Sequence, residues 1–116
     1  MSRIMQLNLL VLRCENIEKT RVFYEKLNLS FQKEKHGKGV EHYSTYIGKM
    51  VLELYPLKEE VPIENIRLGF SLDFDIVSHL YSKQIDMVSR YEFDGRQVII
   101  VQDPDGRKIE LSEAIT

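Results

Sequence analysis

The segment Asn16-Ile17-Glu18-Lys19-Thr20-Arg21-Val22-Phe23-Tyr24-Glu25-Lys26-Leu27 decides the fold. Asn16 is a favoured N-cap, and Glu18 in the first turn suits the positive end of a helix. Ile17, Phe23, Tyr24 and Leu27 share one helical face, so the spacing predicts a helix over residues 17–27 with Asn28 as its stop. Just before it, residues 7–13 form an apolar run that reads as a strand. Just after it come three short strand candidates, residues 31–35, 41–47 and 50–55. They are closed in turn by Gly37-Lys38-Gly39, by Gly48-Lys49 and by Pro56. Glycine at such joints permits the positive φ angles that hairpins demand, so the three strands read as an antiparallel meander.

Residues 57–65 carry Lys58, Glu59, Glu60, Pro62 and Glu64 and read as a short connector. Beyond it the order begins again. In residues 67–74, Leu68, Phe70, Leu72 and Phe74 alternate with Gly69, Ser71 and Asp73, the pattern of a strand with one buried side. Asp75 reads as the cap of a second helix through Ile76, Val77, Leu80 and Tyr81. Residues 87–93, 97–102 and 108–111 read as three more strands, with a hairpin signal at Asp94-Gly95 and a tight turn at Asp103-Pro104-Asp105-Gly106. The expected fold class is therefore α+β, with one βαβββ module over about residues 5–56 and a second over about 66–113. Two local echoes reinforce the repeat. Asn16-Ile17 and Asp75-Ile76 open the two helices, and Met50-Val51-Leu52-Glu53-Leu54 resembles Lys108-Ile109-Glu110-Leu111.

The chain has 116 residues, 43% of them hydrophobic and 29% charged, which fits one compact globular domain over 1–116 and excludes wholesale disorder. Sixteen basic against eighteen acidic side chains give a formal net charge of -2, so no basic footprint for a nucleic acid is present. The apolar runs fall far short of the ~20 residues of a membrane helix. Residues 1–6 show no apolar block followed by a cleavage site, so no signal peptide is expected. Cys14 is the single cysteine, so no intrachain disulfide can form, and a reducing, cytoplasmic setting is expected. It ends a core strand and reads as a buried, inert thiol.

The segment 16–27 and the ending Asp103-Pro104-Asp105-Gly106-Arg107-Lys108-Ile109-Glu110-Leu111 resemble the vicinal oxygen chelate superfamily, also called the glyoxalase/bleomycin-resistance/dioxygenase superfamily. The resemblance implies two modules whose sheets curl into a half-barrel cup with helices on the outer face and a small-molecule site inside. In enzymatic members a divalent metal sits there, held by a histidine early on the first strand of each module and a glutamate on each last strand. By that resemblance Glu53 and Glu110 stand at the two glutamate positions, while Leu9 and Gly69 stand where the histidines would be. Alternation supports the direction of the acids independently. Leu52 and Leu54 flank Glu53, and Ile109 and Leu111 flank Glu110, so each acid points away from its apolar neighbours.

Leucine and glycine supply no side-chain donor, and a carboxylate pair alone suits Mg²⁺ or Mn²⁺ better than zinc, nickel or iron. The expected cofactor is therefore none, with a divalent metal at Glu53 and Glu110 as the alternative. The bland reading of the two acids is that a strand arginine (Arg13, Arg67 or Arg96) satisfies them. His36 and His79 read as ordinary surface side chains. His42 shares a side of its strand with Ser44 and Tyr46 and reads either as an exposed strand residue or, with Tyr46, as a ligand-binding or acid–base pair. Tyr43, Tyr55 and Tyr91 are further aromatic candidates for the cup. The expected function is binding of a small molecule without a catalytic metal, as in the antibiotic-binding branch that the missing histidines resemble. The alternative is a metal-dependent, glyoxalase-like lyase or isomerase using Glu53 and Glu110. A homodimer is expected, since superfamily members commonly pair and open sheet edges need cover.

Overall fold

The computed structural model describes residues 3–59 and 61–114. The chain divides into two compact units, residues 1–64 and 65–116. The first carries β1 (Leu9–Cys14), α1 (Ile17–Lys26), β2 (Gln32–Glu34), β3 (His42–Ile47) and β4 (Met50–Pro56). The second carries β5 (Leu68–Leu72), α2 (Ile76–Ser82), β6 (Ser89–Phe93), β7 (Arg96–Gln102) and β8 (Lys108–Glu113). The sheet orders are β1-β4-β3-β2 and β5-β8-β7-β6, so the repeat read in the sequence holds at the level of topology. In each sheet the first strand pairs parallel with the last, and the other neighbours pair antiparallel. Both sheets are open rather than closed into barrels.

Asn16 caps α1 as expected, its side chain accepting from the amides of Glu18 at 3.0 Å and Lys19 at 3.1 Å. The helix ends one residue early, at Lys26. Asn28 takes φ 74, and the amides of Asn28 and Leu29 reach back to the carbonyls of Glu25 at 3.0 Å and Tyr24 at 3.3 Å. That pattern satisfies carbonyls a helix end would otherwise leave bare. α2 stops the same way. Gln84 has φ 58, and Ile85 donates to the carbonyl of Leu80 at 2.9 Å.

The strand predicted over 7–13 begins two residues later, because Leu7 and Asn8 precede the paired ladder. The last strand runs past the predicted end at 111, because Ser112 and Glu113 pair with Ser71 and Leu72. On the helix-facing side of the first sheet, Leu12, Tyr24, Leu52 and Leu54 are wholly buried. Ile99, Val101, Ile109 and Leu111 are buried likewise in the second unit. Full burial of such side chains contributes about 1.5–3 kcal/mol each. It also fixes register, since a slip of one residue would turn every core side chain outward. Tyr43 belongs to this packed side and not to a ligand face. Its hydroxyl donates to Glu18 of α1 at 2.6 Å, which holds the Glu18 carboxyl below its ordinary range. Among the described residues no helix is long and apolar enough to cross a membrane.

Candidate functional site

Because β1, β2 and β3 pair in register with β4, the face opposite α1 can be read off the ladders. Val11, Glu53 and Ser44 stand side by side across β1, β4 and β3. Next to them, Glu34 of β2 stands opposite His42 of β3. Glu53 does point away from Leu52 and Leu54, which are fully buried.

The centre of this face is His42, which is 1% exposed, so the exposed-strand reading of His42 is overturned. Burial follows from its neighbours. Its ring stacks on Tyr55 with centroids 4.2 Å apart and planes 9° apart, and the ring of His36 lies 5.2 Å away. Tyr55 is covered in turn by the Arg13 guanidinium, 5.0 Å from the ring centroid. His42 Nδ1 lies 3.1 Å from the Val40 carbonyl, which can only accept, so Nδ1 carries the proton. Nε2 is buried with no hydrogen-bond partner, facing Glu53 Oε2 at 3.4 Å and Glu34 Oε2 at 3.8 Å. The second acid is held in place by Ser44, whose hydroxyl donates to Glu34 Oε1. That bond is the main reason the Glu34 carboxyl sits below its ordinary range, with the two imidazoles adding to it.

A pH test follows from this shift. Glu34 has a lower pKa in the folded state than in the unfolded chain, so its contribution is complete above the unfolded value and fades as pH falls through the folded one. Ser44→Ala removes the main cause. The mutant is therefore expected to be less stable than the parent at neutral pH, with the gap closing in acid, as read from thermal midpoints across a pH series. A gap that is the same at acidic and neutral pH would count against Ser44 as the cause.

Beside His42 the face opens into a cleft of about 430 Å³, lined by Gln32, Glu34, Ser44, Tyr46, Val51 and Glu53 among others. Tyr46 is 73% exposed and stands at the cleft edge rather than against His42. The predicted pairing of His42 with Tyr46 as acid and base has no contact to support it. The residues that meet His42 are Glu34, His36, Glu53 and Tyr55.

In the second unit Glu110 is paired with an arginine just before β5, one of those the bland reading offers. Arg67 Nε lies 2.8 Å from Glu110 Oε1, and the Tyr91 hydroxyl donates to the same oxygen at 3.3 Å. Gly69 stands in register with Glu110, and a Cβ built on it would come within 3.9 Å of Glu110 Oε2. Leu9, by contrast, stands opposite Val51, and it is Val11 that stands opposite Glu53. Leu9 and Gly69 are thus not equivalent in register, and neither Val11 nor Leu9 carries a donor. His79 packs its ring against Phe74 at 4.6 Å, away from these acids.

No protein-family model and no curated protein matches the sequence. Solved structures do match it over nearly their whole length. A virulence protein from Salmonella typhimurium shares 24% identity at a TM-score of 0.75, covering 98% of this chain and 100% of the other. A glyoxalase family protein from Enterococcus faecalis shares 22% at 0.71, over 93% and 97%. The chain shares the fold of these structures, the fold that the resemblance to the vicinal oxygen chelate superfamily implies. A lactoylglutathione lyase from Agrobacterium tumefaciens carries it at 14% identity and a TM-score of 0.70, over 97% and 96%. The sequence resemblance implies, for enzymatic members, a divalent metal held between imidazoles and carboxylates. The donors present here do not fit that arrangement. Val11, Leu9 and Gly69 offer no nitrogen side-chain donor, and the Glu110 carboxylate is already paired with Arg67.

Proposed function

We propose that the protein binds a small molecule in the cleft over β2, β3 and β4 of its first unit, without the metal arrangement of the superfamily's enzymes. The observation that carries this reading is the cleft of about 430 Å³ with Glu34, Glu53, Ser44 and Tyr46 in its lining. Its size falls within the ~300–1,000 Å³ of ordinary ligand sites. Two carboxylates with a hydroxyl and an exposed tyrosine face suit a ligand carrying a cationic nitrogen, bound by charge-assisted hydrogen bonds and by stacking or cation–π contact. The rival reading, a metal-dependent lyase or isomerase using Glu53 and Glu110, is disfavoured by the Arg67 guanidinium seated on Glu110.

The test is a titration of small aliphatic and aromatic amines followed by amide chemical shifts. Perturbations are expected at Gln32, Ser44, Tyr46 and Glu53, and Glu53→Gln is expected to weaken binding about tenfold, the worth of one charged hydrogen bond. Shifts confined to the second unit would overturn the reading. A homodimer is part of the same proposal. Met5 (95% exposed), Leu7 (69%) and Leu9 (47%) line the approach to the edge strand β1, an apolar run that a second copy would cover. Light scattering should give twice the chain mass, and a monomer at micromolar concentration would count against it.

A further inference from the structure

We propose that Glu34, His36 and His42 form a binding site for a zinc-class divalent metal, built into the β2–β3 hairpin and separate in composition from the Glu53 and Glu110 positions. The three offer one nitrogen or oxygen donor each, all within 4.8 Å of one another. His36 Nε2 lies 3.3 Å and His42 Nε2 3.8 Å from the same oxygen, Glu34 Oε2. A tetrahedral zinc with bonds near 2.0 Å spaces its donors about 3.3 Å apart, so small side-chain adjustments close the set around an ion. Two imidazoles and one carboxylate select zinc, nickel or cobalt over magnesium or calcium, which prefer oxygen alone.

The independent observation is the buried imidazole. His42 Nδ1 donates to the Val40 carbonyl, which leaves Nε2 as the ring atom facing the carboxylate oxygens of Glu53 at 3.4 Å and Glu34 at 3.8 Å. Nε2 is buried with no hydrogen-bond partner there, and an unpartnered buried polar atom is costly at low dielectric. A metal ion seated between Nε2 and Glu34 Oε2 gives that nitrogen its partner. The outer contacts match what metal ligands need. A backbone carbonyl fixes the His42 tautomer, and the Ser44 hydroxyl occupies Glu34 Oε1 so that Oε2 faces the rings. The turn sets the third donor. The Gly39 amide donates to the His36 carbonyl at 2.9 Å, and a Cβ at Gly39 would stand 2.9 Å from that oxygen. The close approach needs glycine, and it returns the His36 ring to His42. Three protein donors leave a coordination position for water or for a ligand atom.

The experiment uses the full, untagged chain, stripped with chelator and titrated with Zn²⁺ in competition with a chromophoric chelator, and with Co²⁺ followed by its visible absorption. Expected is one ion per chain at micromolar affinity or tighter, with Co²⁺ showing a tetrahedral band. His36→Ala and Glu34→Gln are each expected to weaken binding at least about tenfold, and His79→Ala to leave it unchanged. His36 is 73% exposed at its side chain, so His36→Ala tests the site without unfolding the chain. No binding at tens of micromolar Zn²⁺, or binding that His36→Ala and Glu34→Gln leave within twofold, overturns the proposal. Amine binding by the metal-free chain is read separately, so either proposal can fail alone.

Discussion

Replacing Asp103 with alanine is expected to cost about 3–5 kcal/mol of stability, the usual penalty for removing one member of a buried ion-pair network. Arg107 is 1% exposed although it directly follows a surface turn. Its Nη1 lies 3.0 Å from Asp103 Oδ2 and 3.2 Å from Asp105 Oδ2, and the side chains of both acids are almost wholly buried. Asp103 also builds the turn itself. Its Oδ1 accepts from the amides of Asp105 at 2.9 Å and Arg107 at 3.0 Å, and its amide donates to the Arg107 carbonyl at 3.0 Å. Alanine removes one of the two carboxylates that face Arg107 and the acceptor of two backbone amides together. The turn joins β7 to β8, the two central strands of the second sheet, so no edge can absorb the damage. A midpoint at least about 10 °C below the parent is expected in a thermal melt. Arg107→Met should be comparably severe, since it removes the buried cation that both carboxylates face. The double mutant should recover part of the loss, giving a coupling above 1 kcal/mol in a double-mutant cycle, roughly the threshold for groups in direct contact. Additive single effects would mean that the turn, and not the ion pair, carries the energy.

The turn also shows where sequence reading stops. Asp103-Pro104-Asp105-Gly106 is legible as a turn because proline fixes φ and glycine takes the left-handed position, here φ 85. That Arg107 folds inward is not legible, because a charged residue beside a turn is ordinarily solvated. The only signal was its spacing, four residues from one aspartate and two from another. Helix caps and strand faces were legible for a similar reason. Asn16, Asp75 and the alternation around Glu53 are local chemistry, readable within a few residues. The His42 cluster was not. It needs Glu34 brought opposite His42 by ladder register and His36 returned by a glycine-dependent turn, and neither is a property of a contiguous motif. The fate of Glu110 was half legible. Arg67 was among the arginines available to satisfy it, but only the geometry shows that Arg67 is seated there.

Leu54→Ala is expected to destabilise the protein by about 2–5 kcal/mol, while Glu53→Ala, one residue away, should change stability by no more than about 1 kcal/mol. The contrast follows from strand alternation alone. Leu54 is wholly buried and pairs with Leu12 on one side and Tyr43 on the other, both core residues of the same face. α1 lies over β4 at this point, so the cavity left by alanine has a helix above it and cannot collapse freely. Glu53 points to the opposite face, where its carboxylate borders an open cleft and lies 3.4 Å from His42 Nε2. Truncating a side chain that borders an open cleft leaves no sealed cavity behind. Urea unfolding of the two variants reads the difference directly in the midpoint, with the slope unchanged if both remain two-state. The functional readout should run the other way. Glu53→Ala should lose affinity for amines while staying folded, and Leu54→Ala should retain it at temperatures below its melt. Equal destabilisation by the two substitutions would mean that β4 does not present alternate faces to core and cleft. The placement of Glu34, His42 and Ser44 on the cleft side would fall with it, since their register is set by pairing outward from that strand.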